Sequence, residues 1–140
     1  MFKFLDHTAD FGLYAEGKTT EEAFEEAAKG LFSVMTDLKK VKAVKKIDVK
    51  VEAPKMDELF IEWLNFLLSE SYSRKMLFTE FKVGKISAKS GKFVLKGWAK
   101  GEKMNSKKHE LIRDVKGASY SGLKAEKKGN KFIVQCVLDV

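Results

Sequence analysis

Apolar residues recur at helical spacing in two stretches of this chain and alternate with polar ones along most of the remainder. In residues 20–36, Phe24, Ala27, Ala28, Leu31, Val34 and Met35 fall on one side of a helical repeat, the stripe of an amphipathic helix. Thr19-Thr20-Glu21-Glu22 precedes that stripe, and Thr19 with Glu22 has capping-box spacing, in which each side chain satisfies the other's orphan amide. Residues 57–72 predict a second helix, with Asp57 and Glu58 at its positive end. Its apolar residues run from Leu59 through Phe60, Ile61, Trp63, Leu64, Phe66, Leu67 and Leu68, around most of the circumference. Such a helix has to be covered on more than one side, either as a central core helix, the first expectation, or against a partner.

Period-two alternation predicts strands over 11–17 and 46–52, flanking the first helix, and then over 77–88, 91–101, 115–126 and 131–139. Ser90-Gly91 and Gly129-Asn130 supply turn chemistry for two hairpins. The order ββαβα followed by four strands predicts an α+β fold, one domain over 1–140, with antiparallel or mixed sheets and two helices packed together on one face. In the last strand Phe132, Val134, Cys136, Leu138 and Val140 share one face, and Ile133, Gln135, Val137 and Asp139 the other. Both faces stay largely apolar up to Leu138, so this strand is expected to be central and covered on both sides. The Asp139 carboxylate and that of Val140 then emerge together from its end.

Composition narrows the class. At 140 residues, 44% hydrophobic and 34% charged, the chain can bury a core without disulfide or metal staples and reads as globular and soluble. No apolar run approaches the ~18 residues of a membrane span. Met1 to Asp6 meets an acid too early for a signal peptide, and the single Cys136 excludes an internal disulfide framework. A cytoplasmic protein with no membrane partner is the expectation.

The net charge of +7 comes almost wholly from lysine, with Arg74 and Arg113 the only arginines. A basic chain invites a nucleic-acid partner. Yet the lysine pairs Lys39-Lys40, Lys45-Lys46, Lys107-Lys108 and Lys127-Lys128 are scattered, mostly at apparent turns, and arginine, suited to bidentate recognition, is nearly missing. A solvated surface of the kind found in heat-adapted proteins is the first expectation, and direct RNA binding the second.

Candidate chemistry is sparse. No Gly-rich phosphate loop, His-Glu-x-x-His helix or nucleophile elbow occurs. Two histidines and one apolar-face cysteine leave little for Ser-His or Cys-His catalysis, and Cys136 reads as packing. His109-Glu110 follows Lys107-Lys108 in what reads as a solvated turn. Near the start stands Asp6-His7-Thr8-Ala9-Asp10, followed by Phe11-Gly12. It reads either as a polar turn between strands or as part of a site in which Asp10, Asp139 and the Val140 carboxylate offer oxygen ligands only. Oxygen ligands suit a hard cation such as Ca²⁺ or Mg²⁺, whereas zinc lacks ligand spacing among His7, His109 and Cys136. On residue chemistry alone, a binding module outranks an enzyme, and a metal-dependent hydrolase is the weakest of the alternatives.

The opening motif resembles that of the archease family, Asp/Glu-His-Thr-Ala-Asp followed by an apolar residue and glycine. The resemblance continues through Gly17-Lys18-Thr19, Glu21-Glu22-Ala23-Phe24, Gly30-Leu31-Phe32 and Glu62-Trp63-Leu64-Asn65. It ends with Gly101-Glu102, His109-Glu110, Val115-Lys116, Tyr120, Gly122-Leu123 and Leu138-Asp139-Val140, so it spans essentially the whole chain. It implies a non-catalytic activator of the RtcB-type tRNA-splicing RNA ligase. Such a protein promotes metal-dependent guanylylation by GTP and multiple turnover, broadens nucleotide use, and reaches tRNA indirectly through the ligase. It also implies a divalent cation, calcium first, with magnesium or manganese as alternatives, held by Asp10, Asp139 and Val140, with Asp6, His7 and Lys116 as neighbours. A small basic RNA-binding or chaperone-like protein is the competing function. Two departures stand out: Ser121 replaces a histidine, and Ser71-Tyr72-Ser73-Arg74-Lys75 replaces a more acidic loop.

Overall fold

A computed structural model describes residues 1–5 and 11–140. Among them are strands β1 (Phe2–Leu5), β2 (Phe11–Gly17), β3 (Lys45–Ala53), β4 (Met76–Val83), β5 (Ser87–Lys89), β6 (Lys92–Lys103), β7 (Gly117–Lys128) and β8 (Lys131–Asp139), with helices α1 (Thr20–Met35) and α2 (Met56–Arg74). One sheet has the order β1-β2-β8-β7; the other runs β3-β6-β4, with β5 also on β6. Every pairing among the described residues is antiparallel, which settles the expected "antiparallel or mixed" in favour of the first.

The helices touch each other, and both pack on strands of both sheets. The all-round apolar α2 is therefore a central helix: Leu59, Phe60, Ile61, Trp63, Leu64, Leu67 and Leu68 are buried. Aromatic rings tie the layers together. Phe24 of α1 meets Phe60 of α2 at 5.2 Å, Phe32 stacks on Phe81 of β4 at 5.6 Å, and Trp63 meets Phe81 edge-on at 6.5 Å. Trp63 Nε1 donates to the Phe24 carbonyl at 2.9 Å inside the core, so the indole loses no hydrogen bond on burial. Thr19 caps α1 as expected, accepting the Glu22 N–H at 3.1 Å, but the Glu22 carboxylate takes the amide of Lys18 at 2.8 Å instead of that of Thr19.

Three expectations change. Residues 77–88 divide into β4 and β5. Two α1 glutamates reach across, Glu25 accepting the Val83 N–H at 2.8 Å and Glu21 the Ile86 N–H at 2.9 Å. Those amides gain side-chain partners, so the ladder breaks there. Strand 115–126 starts two residues later, at Gly117. The segment Ser71 to Arg74 is no loop but the last turn of α2, which ends with Lys75 in the left-handed conformation at φ 54°. The Ser90-Gly91 turn matches its chemistry, with φ of 51° and 78°, the positive pair a two-residue hairpin needs. At Gly101 of β6 a Cβ would collide with the Leu77 carbonyl oxygen, so glycine lets β4 lie close alongside β6.

β8 is central in its sheet, as predicted. Val134, Cys136 and Leu138 enter the main core, while Ile133 and Val137 are buried on the opposite face. β7 carries a bulge beside it: pairing jumps from Ser119↔Val137 to Lys124↔Gln135, so residues 120–123 face Cys136 alone.

Candidate functional site at the end of the first sheet

The register of the first sheet gathers several predicted site residues or their chain neighbours at one end. Phe11 pairs with Leu138, Gly117 pairs with Asp139, and the Lys116 N–H donates to the Asp139 carbonyl at 2.7 Å. Asp139 and Val140 are half-buried, and Lys116 is exposed. Asp6, His7 and Asp10 lie outside the described residues. In the sequence Asp10 precedes Phe11, whose strand partner Leu138 precedes Asp139.

Helix α2 fixes the approach to Lys116 from two sides. Asn65 Oδ1 accepts the Ala118 N–H at 2.8 Å, and its Nδ2 donates to the Ala118 carbonyl at 3.2 Å, so one amide side chain satisfies both backbone groups of a β7 residue. Two turns on, the Tyr72 hydroxyl accepts the Val115 N–H at 3.1 Å and donates to Asp114 Oδ1 at 2.6 Å or the Val115 carbonyl at 2.5 Å. Burial and then the Asp114 carboxylate raise the Tyr72 phenol above its ordinary range, which keeps it protonated. The backbone of 114–118 is thus held by side chains, with Lys116 between the clamps. Sequence reading missed both roles, because nothing in α2's apolar pattern says which polar residue faces a strand.

Farther back, the segment leading to Lys116 is anchored as well. The Ile112 N–H donates to the Met35 carbonyl at 2.8 Å, and Thr36 Oγ1 donates to the Glu110 carbonyl at 2.8 Å. Arg113 lies over the Phe11 ring at 4.5 Å, while Leu111 and Ile112 stay 57% and 58% exposed.

His109 is not in the solvated turn its neighbours predict: it is buried, accepting the Asn105 N–H at Nδ1 (3.0 Å) with Nε2 2.9 Å from Glu102 Oε2. The same carboxylate takes Lys108 Nζ at 2.7 Å and the Lys42 N–H at 2.8 Å. Lys108 first, then the Lys42 amide, hold the Glu102 carboxyl down at about 2. A lowered folded-state pKa contributes stability that is full above the unfolded value of 4.5 and is lost as pH falls towards about 2. Glu102→Gln should therefore lower the melting temperature at neutral pH and flatten its decline between those limits. A variant that keeps the parent's acid profile would remove Glu102 from that role.

Cys136 is buried, and burial first, then the Asp139 charge, push its thiol up to about 12, so it is packing and not a nucleophile at neutral pH. Among the described residues no group of three or more His, Cys, Asp or Glu could hold a metal. The expected ligand set depends on Asp10, outside those residues. Among the described residues, the sheet end offers the Asp139 carboxylate and backbone carbonyl oxygens, donors that suit a hard cation.

The sequence model of the Archease protein family (MTH1598/TM1083) matches residues 2–140. The chain belongs to the archease family. Within it, Protein archease of Sulfurisphaera tokodaii is 40% identical over 139 residues, covering 99% of this chain and 98% of that one. Protein archease of Pyrococcus furiosus is 38% identical over 136 residues, 96% and 95% of the two chains. The solution structure of Methanobacterium thermoautotrophicum protein 1598 superposes with a TM-score of 0.84 at 31% identity, covering 99% and 98%. A crystal structure from Thermotoga maritima, described as an archease and possible chaperone, shares the fold with a TM-score of 0.53 at 18% identity, covering 99% and 96%. Archease membership thus accounts for the α+β architecture with two helices. No helix among the described residues is long and apolar enough to cross a membrane.

Proposed function

We propose that this chain is an accessory protein of an RtcB-type tRNA-splicing RNA ligase, with no reaction of its own. It promotes metal-dependent guanylylation of the ligase by GTP, supports multiple turnover and broadens nucleotide use, and it meets tRNA through the ligase. The observation that carries the proposal is the register at the end of the first sheet, where Phe11, Asp139 and Lys116 come together through Phe11↔Leu138, Gly117↔Asp139 and Lys116 N–H to Asp139 O. These are the residues, or the chain neighbours of the residues, through which the family resemblance implies a cation. An accessory role also accords with the description of the Thermotoga maritima relative as a possible chaperone.

In this proposal Asp10, Asp139 and Val140 hold a divalent cation, calcium, magnesium or manganese, by oxygen alone. When bound, such an ion supplies positive charge that stabilises a transferring phosphoryl group. The chain's own contribution is position. Asn65 and Tyr72 fix the backbone on either side of Lys116, so its ammonium is offered from a rigid support to a phosphate or to the site's carboxylates. Arg113 adds a second cation at the same end, restrained over Phe11. Exposed Leu111 and Ile112 give the neighbouring segment an apolar rim suited to a protein partner.

The direct test is guanylylation of the purified ligase by GTP, with and without this protein at limiting concentration. No gain in rate or turnover at any ratio would defeat the proposal. Lys116→Ala should cut activation severalfold, while its exposed side chain makes the stability change no more than ~0.5 kcal/mol. Full activation by that variant would return Lys116 to an ordinary surface charge.

A further inference from the structure

The lysines that look scattered in the sequence are not scattered on the second sheet. Residues alternate strictly along β3, with Ile47, Val49, Val51 and Ala53 buried and Lys46, Asp48, Lys50 and Glu52 exposed. Register then sets lysines against lysines on the outer face: Lys46 opposite Lys100, Lys50 opposite Lys96, and Lys89 of β5 opposite Lys92. Like charges directly opposed across an antiparallel pair repel and destabilise the sheet. Three such pairs concentrate positive charge on one face, although Glu80 lies opposite Lys100 across β4 and Asp48 and Glu52 flank Lys50.

The carboxylates on this face do not cancel it. Glu102 is engaged by Lys108, Lys42 and His109, and Glu52 stands 3.8 Å from Lys92. Asp48 and Glu80 remain against the other lysines. Between β3, β5 and β6 lies an open groove of about 370 Å³, lined by Lys50, Lys89, Lys92 and Lys96 with Ser87 and Ser90, and by one carboxylate, Glu52, beside Lys92. Hydroxyls and ammonium groups together are donors for phosphate oxygens.

A second observation specifies the kind of polyanion. Trp98 projects on the same face of β6, opposite Asp48, midway between the Lys46↔Lys100 and Lys50↔Lys96 pairs. It is half-buried, unlike Trp63, which is wholly enclosed. Its ring is covered by Lys100 Nζ at 4.7 Å from the centroid, an exposed cation–π contact. A nucleobase stacked on an aromatic ring gains more than such a contact, and Lys100 on leaving the ring is free to meet a phosphate. Cation pair, aromatic ring, cation pair along one strand is the pattern that binds phosphate, base and phosphate of an extended strand.

From these features we infer that the outer face of β3, β6 and β5 binds single-stranded nucleic acid, by lysine contacts to the phosphates and base stacking on Trp98. This site lies on the second sheet, whereas the Asp139 end belongs to the first, so it does not rest on the ligase proposal. Sequence preference is weak, because lysine and a π-face read neither base edges nor order.

The test uses the full chain and a fluorescein-labelled oligouridylate, followed by anisotropy across a salt series, with tryptophan emission recorded in parallel. The parent should bind with a steep salt dependence and show quenched Trp98 emission, since enclosed Trp63 is out of reach. Lys50→Glu should weaken binding and lower the log–log salt slope by about 0.7 or more. Its melting temperature should be equal or higher, because it replaces a repelling cross-strand pair with an attracting one. Trp98→Leu should lose the quenching and weaken binding while keeping the salt slope. Both variants should retain calcium binding and ligase activation, so failure here and failure of the ligase proposal are separate outcomes. The inference is overturned if the parent does not bind, if Lys50→Glu keeps the parent's affinity and slope, or if polyglutamate of equal charge displaces the RNA with Trp98 emission unchanged throughout.

Discussion

Alanine at Asp139 should remove divalent-cation binding and ligase activation together while leaving the fold in place. The Asp139 backbone stays paired, through its Cα partner Gly117 and its carbonyl to the Lys116 amide, whatever the side chain. Its carboxylate is half-buried at the strand end, outside the main core. A substitution of that kind costs no more than ~0.5 kcal/mol, and at about 4 °C per kcal/mol for a chain of this size the melting temperature shifts by about 2 °C. The metal loses far more. Removing a group that only orients a ligand costs about 10–100-fold in affinity, so deleting a ligand carboxylate should exceed the upper figure. Calorimetric titration with Ca²⁺, beside the guanylylation assay, reads both effects. Asp10→Ala should behave alike, since the proposed site needs both. Undiminished calcium affinity in either variant would end the assignment. Loss of affinity with full ligase activation would separate the ion from the function.

Trp63→Ala should be the most destabilising single change, about 3–5 kcal/mol by the measure of other large-to-small core substitutions. The indole is wholly buried between α1, α2 and β4, meets Phe81, and donates to the Phe24 carbonyl. Truncation therefore opens a cavity where both helices and the second sheet converge, and it severs a side-chain hydrogen bond between the helices. At about 4 °C per kcal/mol the midpoint falls by roughly 12–20 °C. Trp63→Phe keeps most of the apolar area and loses the hydrogen bond, so it should cost less, about 1–3 kcal/mol. Urea unfolding monitored by circular dichroism would measure both. A loss below about 1 kcal/mol for Trp63→Ala would mean that the core refills the space, against the rigidity expected of such interiors.

The parts of the fold legible in the sequence were those set by burial. The stripe of α1, the all-round apolar character of α2 and the two-faced β8 each followed from where water is excluded, and each is found in the structure. Boundaries set by polar side chains were not legible. Glu21 and Glu25 end β4 by offering α1 carboxylates to its outgoing amides, a contact between residues some sixty apart in the chain that no local pattern announces. The burial of His109 is hidden for the same reason: lysines precede it, but Glu102 and the Asn105 amide draw it inside. At the candidate site, Asp139 stood out because an apolar strand ended in a carboxylate. Asn65 and Tyr72 were hidden, since a polar residue on a mostly apolar helix looks the same whether it faces solvent or a strand. The lysines on the second sheet read as scattered because two faces of a strand interleave in sequence, and only register tells which cations oppose which.

The bidentate grip of Asn65 on Ala118 has a further consequence, for encounters between copies of the chain. β7 is an outer strand of its sheet, and unpaired amides along an outer strand invite another chain to pair with them. Asn65 occupies both Ala118 backbone groups with an amide that imitates the next strand. Beyond it the bulge at 120–123 breaks the straight run, and Lys124, Lys127 and Lys128 charge the remainder. A foreign strand laid along β7 would meet an occupied donor and acceptor, then a bend, then repulsion from its own copy of those lysines. The side chain that steadies the approach to Lys116 therefore also shields the sheet from templated aggregation, and Asn65→Leu should expose that liability first under conditions where the native fold persists.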